Sequence, residues 1–154
     1  MIDHEQAGVF VDGLRNYFDH LDVDGSSSKD ELEIGAPFIL DESDDAGLDY
    51  TGSIAVSGHD HGNIFFSATS CLLKTILLNY GVSKLTDSKH EDIVGEVANT
   101  IAGNARRQLG SDFMISTPTV IKGALQTEHY DTRIRSYVIP MRWKSKSAQL
   151  IVNV

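Results

Sequence analysis

Residues 86–110 read TDSKHEDIVGEVANTIAGNARRQLG, the most strongly patterned segment of the chain. Hydroxyl and carboxylate side chains at 86–88 favour the start of a helix, and Gly110 favours its end after Leu109. At about 100° per residue from Asp92, the apolar side chains occupy an arc from about 100° to about 260°, which we expect to face the core. These residues are Ile93, Val94, Val97, Ala98, Ile101, Ala105 and Leu109.

The opposite side of this predicted helix is polar. The residues within about 40° of its midline are Asp92, Glu96, Asn99, Gly103 and Arg106. Glu96 and Asn99 are three positions apart and therefore neighbours in space. Such a stripe alone is typical of a solvated helix face. Gly103 indicates that this face contacts a partner. A glycine inside a helix costs about 1 kcal/mol relative to alanine, and a partner that approaches the helix closely would explain its presence.

The spacing Asp92-x-x-x-Glu96-x-x-Asn99, followed by IAGNA at 101–105, resembles the signature helix of the CheC, CheX and FliY phosphatases. The run STPTVIKG at 116–123 is similar to the same family, including its motif proline, Pro118. The signature occurs once in this chain. One motif per chain resembles CheX more than the two-site CheC arrangement, although a CheC-like chain that had lost a site would look similar.

This resemblance implies a phosphatase that hydrolyses the aspartyl phosphate of a CheY-like response-regulator receiver domain. Asn99 would hold a water in line with the breaking bond, because an amide offers both a donor and an acceptor without a charge that repels the phosphoryl group. As the resemblance implies, Glu96 would pair with the receiver's active-site lysine. Asp92, Gly103 and Arg106 are candidates for contact with the partner. We expect no cofactor in this chain itself and Mg²⁺ on the receiver.

An alternative is a non-catalytic signalling module that uses the same helix to bind a receiver without hydrolysing anything. The presence of both Glu96 and Asn99 argues against this alternative.

The remaining patterns predict an α+β fold, with helices packed on one face of a mostly antiparallel sheet. Apolar periodicity predicts two further helices, at 5–21 and 69–80. Alternation and turn residues predict a hairpin of strands 50–57 and 63–68, and further strands at 34–40, 113–121, 132–139 and 148–154. Pro37 indicates an edge or a bulge in the first of these.

The apolar strand predicted at 148–154 has two possible settings. As a bare sheet edge it would invite pairing with another chain, which agrees with the homodimer that the resemblance to CheX implies. The alternative is that it lies inside its own sheet.

Composition limits the classes of function. The 154 residues suit one domain, residues 1–154, and carry a formal charge of −9. The 13 basic residues form no run longer than Arg106–Arg107, which disfavours nucleic acid and anionic membranes as partners. A single cysteine, Cys71, fits a reducing compartment. The acidic start and the absence of a long apolar stretch predict a cytoplasmic protein.

Two other patterns resemble metal sites. His59-Asp60-His61 offers two imidazoles, but no third ligand is indicated nearby, and a polar hairpin loop is the simpler interpretation. Acidic and serine side chains at 22–33 fit most ligand positions of a calcium loop. Ser27 stands where that loop requires glycine, however, which argues against calcium.

Overall fold

The computed structural model describes residues 2–21, 32–41 and 44–154. The helices in these ranges are α1 (His4–His20), α2 (Ser70–Asn79) and α3 (Asp87–Leu109), with a short 3₁₀ turn at Thr127–His129. The strands are β1 (Leu32–Ile34), β2 (Phe38–Ile39), β3 (Tyr50–Gly58), β4 (Gly62–Ala68), β5 (Phe113–Ile115), β6 (Thr119–Lys122), β7 (Tyr137–Trp143) and β8 (Lys146–Asn153). The three predicted helices and the predicted hairpin are confirmed almost to the residue.

The described strands form one sheet in the order β1-β7-β8-β4-β3-β5. β2 also pairs with β7, and β6 also pairs with β3. Every one of these pairings is antiparallel. The predicted fold class is therefore confirmed, because the helices share the larger hydrophobic core with one face of this sheet.

Side-chain alternation divides the sheet between two cores. Tyr50, Ile54 and Ile64 are among the strand residues that pack against the helices. The opposite face carries a smaller cluster, which is covered by the segments that precede β3 and follow β6. Its buried members are Ala46, Phe65, Leu125, Val138 and Ile151. All three helices of the described residues pack on the other face. Only on that side of the described sheet can a helix therefore present residues to a partner.

Each edge of the sheet consists of two short strands, whereas the sequence predicted one longer strand at 34–40 and one at 113–121. Both predictions were wrong in the same way, because each edge is interrupted beside a proline, Pro37 or Pro118. Proline has no N–H to donate to a strand ladder. At the second edge the interruption is bridged by Ser116, whose N–H donates to the Ala55 carbonyl and whose hydroxyl accepts from the Ala55 N–H.

Of the two settings left open for the last strand, the one inside its own sheet is confirmed, because β8 lies between β7 and β4. Because β8 is paired on both sides, it does not provide a free edge for a dimer. The homodimer itself stays a prediction. The strand predicted at 132–139 begins only at Tyr137. The buried Asn153 amide explains this delay, because it donates to the carbonyls of Asp131 and Ile134 and so holds the preceding loop in an irregular path.

Gly52 brings α3 into direct contact with the backbone of β3. A Cβ at this position would lie 2.6 Å from the Val94 carbonyl oxygen and 2.9 Å from the Ala98 Cβ. The helix could not approach the sheet so closely over any other residue.

We therefore predict that Gly52→Ala lowers the free energy of unfolding by about 1–3 kcal/mol, because the added methyl forces α3 away from the sheet. Urea denaturation followed by circular dichroism would measure the change. Gly8→Ala in α1 is the matched control, since a Cβ there meets nothing within 4 Å. That control should gain about 0.5–1 kcal/mol from helix propensity. Equal effects of the two substitutions would contradict the role of Gly52.

Candidate active site

The helix α3 begins and ends where its sequence dictates. The Thr86 side chain caps the first turn by accepting from the Lys89 N–H at 3.3 Å. Gly110 follows the last turn with a φ of 105°, a conformation that favours glycine. All but one of the apolar residues predicted to face the core are buried, and Leu109, which is half-buried, packs against their cluster.

The polar stripe predicted on α3 lies on its outer side. Asp92, Glu96, Asn99 and Arg106 are exposed, and Gly103 is half-buried. Within the described residues none of these four exposed side chains forms a hydrogen bond or an ion pair, while the Glu96 carbonyl accepts from the Thr100 hydroxyl within the helix. Glu96 and Asn99 therefore point away from the core with their side-chain polar groups available to another molecule.

Two tyrosines from other helices border the Glu96 side of this pair. The hydroxyls of Tyr17, on α1, and Tyr80, which follows α2, lie 3.3 Å apart. Burial, then the Tyr80 hydroxyl and the nearby Glu96 carboxylate, raise the pKa of Tyr17 above its ordinary value. Sequence reasoning missed these two residues, because they lie on elements without any motif.

Strand β6 approaches the helix on its other flank. A Cβ on Gly95 would meet the Pro118 Cβ at 3.5 Å and the Val120 Cγ2 at 3.6 Å. Val120 and Pro118 are nevertheless exposed, so they form an apolar margin beside the polar stripe. Pro118 lies in the interval between β5 and β6.

The first turn of α3 is tied to the sheet by a carboxylate. The Tyr50 hydroxyl donates to Asp87 Oδ1 at 2.6 Å, and Lys122 Nζ donates to Asp87 Oδ2 at 3.1 Å. The phenol hydrogen bond and then the Lys122 ammonium hold the pKa of Asp87 below its usual range. Hydrogen bonding to Asp87, followed by burial, raises the pKa of Tyr50 to about 12.

Open space surrounds the C-terminal part of the stripe. Nothing lies within 4 Å of a Cβ built on Gly103. A shallow cavity of about 410 Å³ opens there, lined by Gly103, Arg106, Arg107, Gly110, Ser111 and Ile115. This end of α3 has room for a partner side chain close to the helix backbone.

The described residues do not form a metal site around His59 and His61. His59 and Asp60 lie in the exposed turn between β3 and β4, with His59 Nδ1 3.6 Å from Asp60 Oδ1. The part of the chain that the structure describes contains no group of three or more His, Cys, Asp or Glu side chains that could hold a metal ion. The calcium-like pattern at 22–33 lies almost entirely outside the described residues.

The antiparallel sheet with three helices on one face is the fold of solved CheX and CheC-like chemotaxis proteins. The family described as chemotaxis phosphatase CheX matches residues 50–142 of this chain. That segment includes all of α3 and both strands of the β5–β6 edge. The chain therefore belongs to the CheX family of chemotaxis phosphatases.

Solved structures of related proteins share the fold. A chemotaxis protein CheX from Desulfovibrio desulfuricans is 23% identical, with a TM-score of 0.76 over 96% of this chain and 97% of that one. A chemotactic CheC-like protein from Shewanella oneidensis is 22% identical, with a TM-score of 0.77 and 95% of each chain covered. The CheX of a CheX–CheY–BeF3–Mg²⁺ complex from Borrelia burgdorferi is 18% identical, with a TM-score of 0.73 over 99% and 98% of the two chains.

No curated protein sequence matches the chain significantly. Within residues 2–21, 32–41 and 44–154, no helix combines the length and the hydropathy that a transmembrane span requires.

The raised pKa of Tyr50 predicts an alkaline effect on stability. Because the folded state keeps this phenol protonated up to about pH 12, against an ordinary value of 10.0, Tyr50 stabilises the fold below pH 10. That contribution should disappear as the pH rises from 10 through 12. We expect the difference in free energy of unfolding between the wild type and Tyr50→Phe to shrink over this range. Urea titrations from pH 8 to 11.5 would measure it, and a constant difference would contradict the assigned hydrogen bond.

Proposed function

We propose that this protein dephosphorylates the aspartyl phosphate of a CheY-like receiver domain, with Glu96 and Asn99 as the residues that enter the receiver's active site. The observation that carries the proposal is the exposure of these two side chains on α3. Both side chains are exposed on one face of a rigidly capped helix, and neither has a hydrogen-bond partner among the described residues. Membership of the CheX family and the solved complex of a CheX with CheY support the same reaction.

In this mechanism the receiver brings most of the chemistry, including its Mg²⁺, and this chain contributes position. The Asn99 carbonyl accepts from the attacking water while its NH₂ group donates to an oxygen near the phosphoryl group. The water oxygen bonds to phosphorus, and the bond from phosphorus to the aspartyl oxygen breaks. The products are a free carboxylate and inorganic phosphate. A neutral amide suits this task because a carboxylate would repel the phosphoryl oxygens.

Glu96 lies one turn before Asn99 and has a docking role. Its carboxylate would form an ion pair with the receiver's active-site lysine and so fix the distance from Asn99 to phosphorus. No resident cation competes for it, because Glu96 makes no ion pair within the described chain. Asp92, Gly103 and Arg106 extend the same exposed stripe and complete the proposed contact surface.

The net charge of −9 gives no general attraction to an acidic partner. Charges separated by more than about 8 Å are largely screened at physiological salt, so recognition must be local. This favours a short set of contacts along α3 over long-range steering.

A cytoplasmic location and a homodimer also remain predictions, and light scattering of the purified protein would test the second.

We expect Asn99→Ala to lower the rate of receiver dephosphorylation about 100-fold, because one positioned donor in an active site contributes on that order. Binding to the receiver should change little. Phosphate release from a phosphorylated receiver, alongside the dissociation constant for the BeF3-activated receiver, would separate the two effects. Gln108→Ala is the matched control, since it removes an exposed amide from the same helix outside the stripe.

Wild-type rates in Asn99→Ala would refute the role of this amide. Tight binding by the wild type without hydrolysis of any receiver in the same assay would instead favour the non-catalytic signalling module.

Glu96→Gln should weaken binding to the receiver, whereas Asn99→Ala should lower the rate of hydrolysis. The substitution keeps the shape of the side chain but removes the charge, so we expect the dissociation constant for the activated receiver to rise about tenfold or more. The wild-type affinity should also weaken with salt more steeply than that of the variant. Fluorescence titrations at two ionic strengths would measure both. Equal affinities would show that Glu96 has no docking role.

A further inference from the structure

We infer that Tyr50 and Lys122 are positioning residues for the phosphatase site, because together they fix the rotation of α3 through Asp87. The inference rests on the proposed function, in that it explains how Glu96 and Asn99 are held. Neither residue belongs to the motif helix, and Asp87 lies five positions before the first residue of the stripe, Asp92.

The two hydrogen bonds that hold Asp87, from Tyr50 and Lys122, are called the Asp87 anchor below. They restrict the rotation of α3 as well as its distance from the sheet. Tyr50 on β3 and Lys122 on β6 are direct cross-strand partners, so their side chains rise from the same face of the sheet. One donates to Oδ1 of Asp87 and the other to Oδ2. Because the carboxylate is held at both oxygens from two strands, a turn about the helix axis distorts these hydrogen bonds, of which the one from Lys122 is exposed to solvent.

Ring contacts reinforce the same turn of the helix. The His90 ring stacks on Tyr50 at a centroid distance of 5.4 Å and an interplanar angle of 22°. His90 Nδ1 also lies 2.8 Å from the carbonyl oxygen of Thr86, the capping residue. Lys122 Nζ lies 5.9 Å from the centroid of the Tyr50 ring. The cap, the first turn and two strands therefore form one connected unit.

The Asp87 anchor adds to the buried apolar side of α3 a restraint on rotation that the central contact at Gly52 does not supply. At Gly52 the helix rests on bare backbone, which offers no side chain to interlock with the helix surface. A rotation of about 10° would move a side-chain end at a radius of about 6 Å by roughly 1 Å. A displacement of that size is enough to change a reaction rate by about two orders of magnitude when catalysis depends on positioning.

Tyr50→Phe tests this inference, because it keeps the ring that stacks on His90 and removes only the hydroxyl. We expect kcat for receiver dephosphorylation to fall about 5- to 30-fold, with KM within about twofold of the wild type. Lys122→Met should lower kcat in the same way, whereas Lys122→Arg, which keeps a donor, should restore it. Tyr137→Phe makes the same chemical change on β7, three strands from β3, and should leave kcat unchanged.

Amide hydrogen exchange of the free protein provides a readout that does not depend on activity. Exchange across residues 96–103 should be faster in Tyr50→Phe than in the wild type and unchanged in Tyr137→Phe. Unchanged exchange in Tyr50→Phe, or a kcat within about twofold of the wild type, would overturn the inference. If the wild type hydrolyses no phosphorylated receiver, the proposed function fails, and the exchange measurement alone then decides whether the anchor holds the pair.

Discussion

The carbonyl oxygen of Val94 and the methyl group of Ala98 lie against the bare backbone of Gly52, and this contact sets the height of α3 above the sheet. Because the helix approaches so closely, its apolar side is buried except at Leu109, and its opposite side faces solvent. The exposure of the polar stripe follows from this approach. At Gly95 the sheet edge lies alongside the stripe, since a Cβ there would make ordinary van der Waals contact with Pro118 and Val120.

Local sequence signals predicted most of the fold. The bounds of α3 follow from Thr86 and Gly110, which act within a single turn, so neighbouring residues contain the needed information. The two edge strands were predicted as continuous although Pro37 and Pro118, beside which they are interrupted, are visible in the local sequence. The start of β7 was predicted wrongly because its cause is not local. The irregular path before Tyr137 depends on the amide of Asn153 on β8, which lies 22 residues after its partner Asp131.

The residues of the candidate site also differ in whether the local sequence could predict them. Glu96 and Asn99 could be found from the sequence, because both lie on one helix at a recognisable spacing. The tyrosine pair and the Asp87 anchor could not, since each joins side chains from separate elements. Lys122 falls within the run at 116–123 that resembles the family, yet only the pairing of β6 with β3 places it opposite Tyr50 and over the first turn of α3.

The exposed stripe of α3 also affects how this protein can evolve. The side chains of Asp92, Glu96, Asn99 and Arg106 make no hydrogen bond or ion pair with the described remainder of the chain, so exchanging them removes little that stabilises the fold. In many enzymes, by contrast, improving the site costs stability, because the reactive groups are buried or strained. Here the interior can stay constant while the outer surface of one helix drifts towards a new signalling partner.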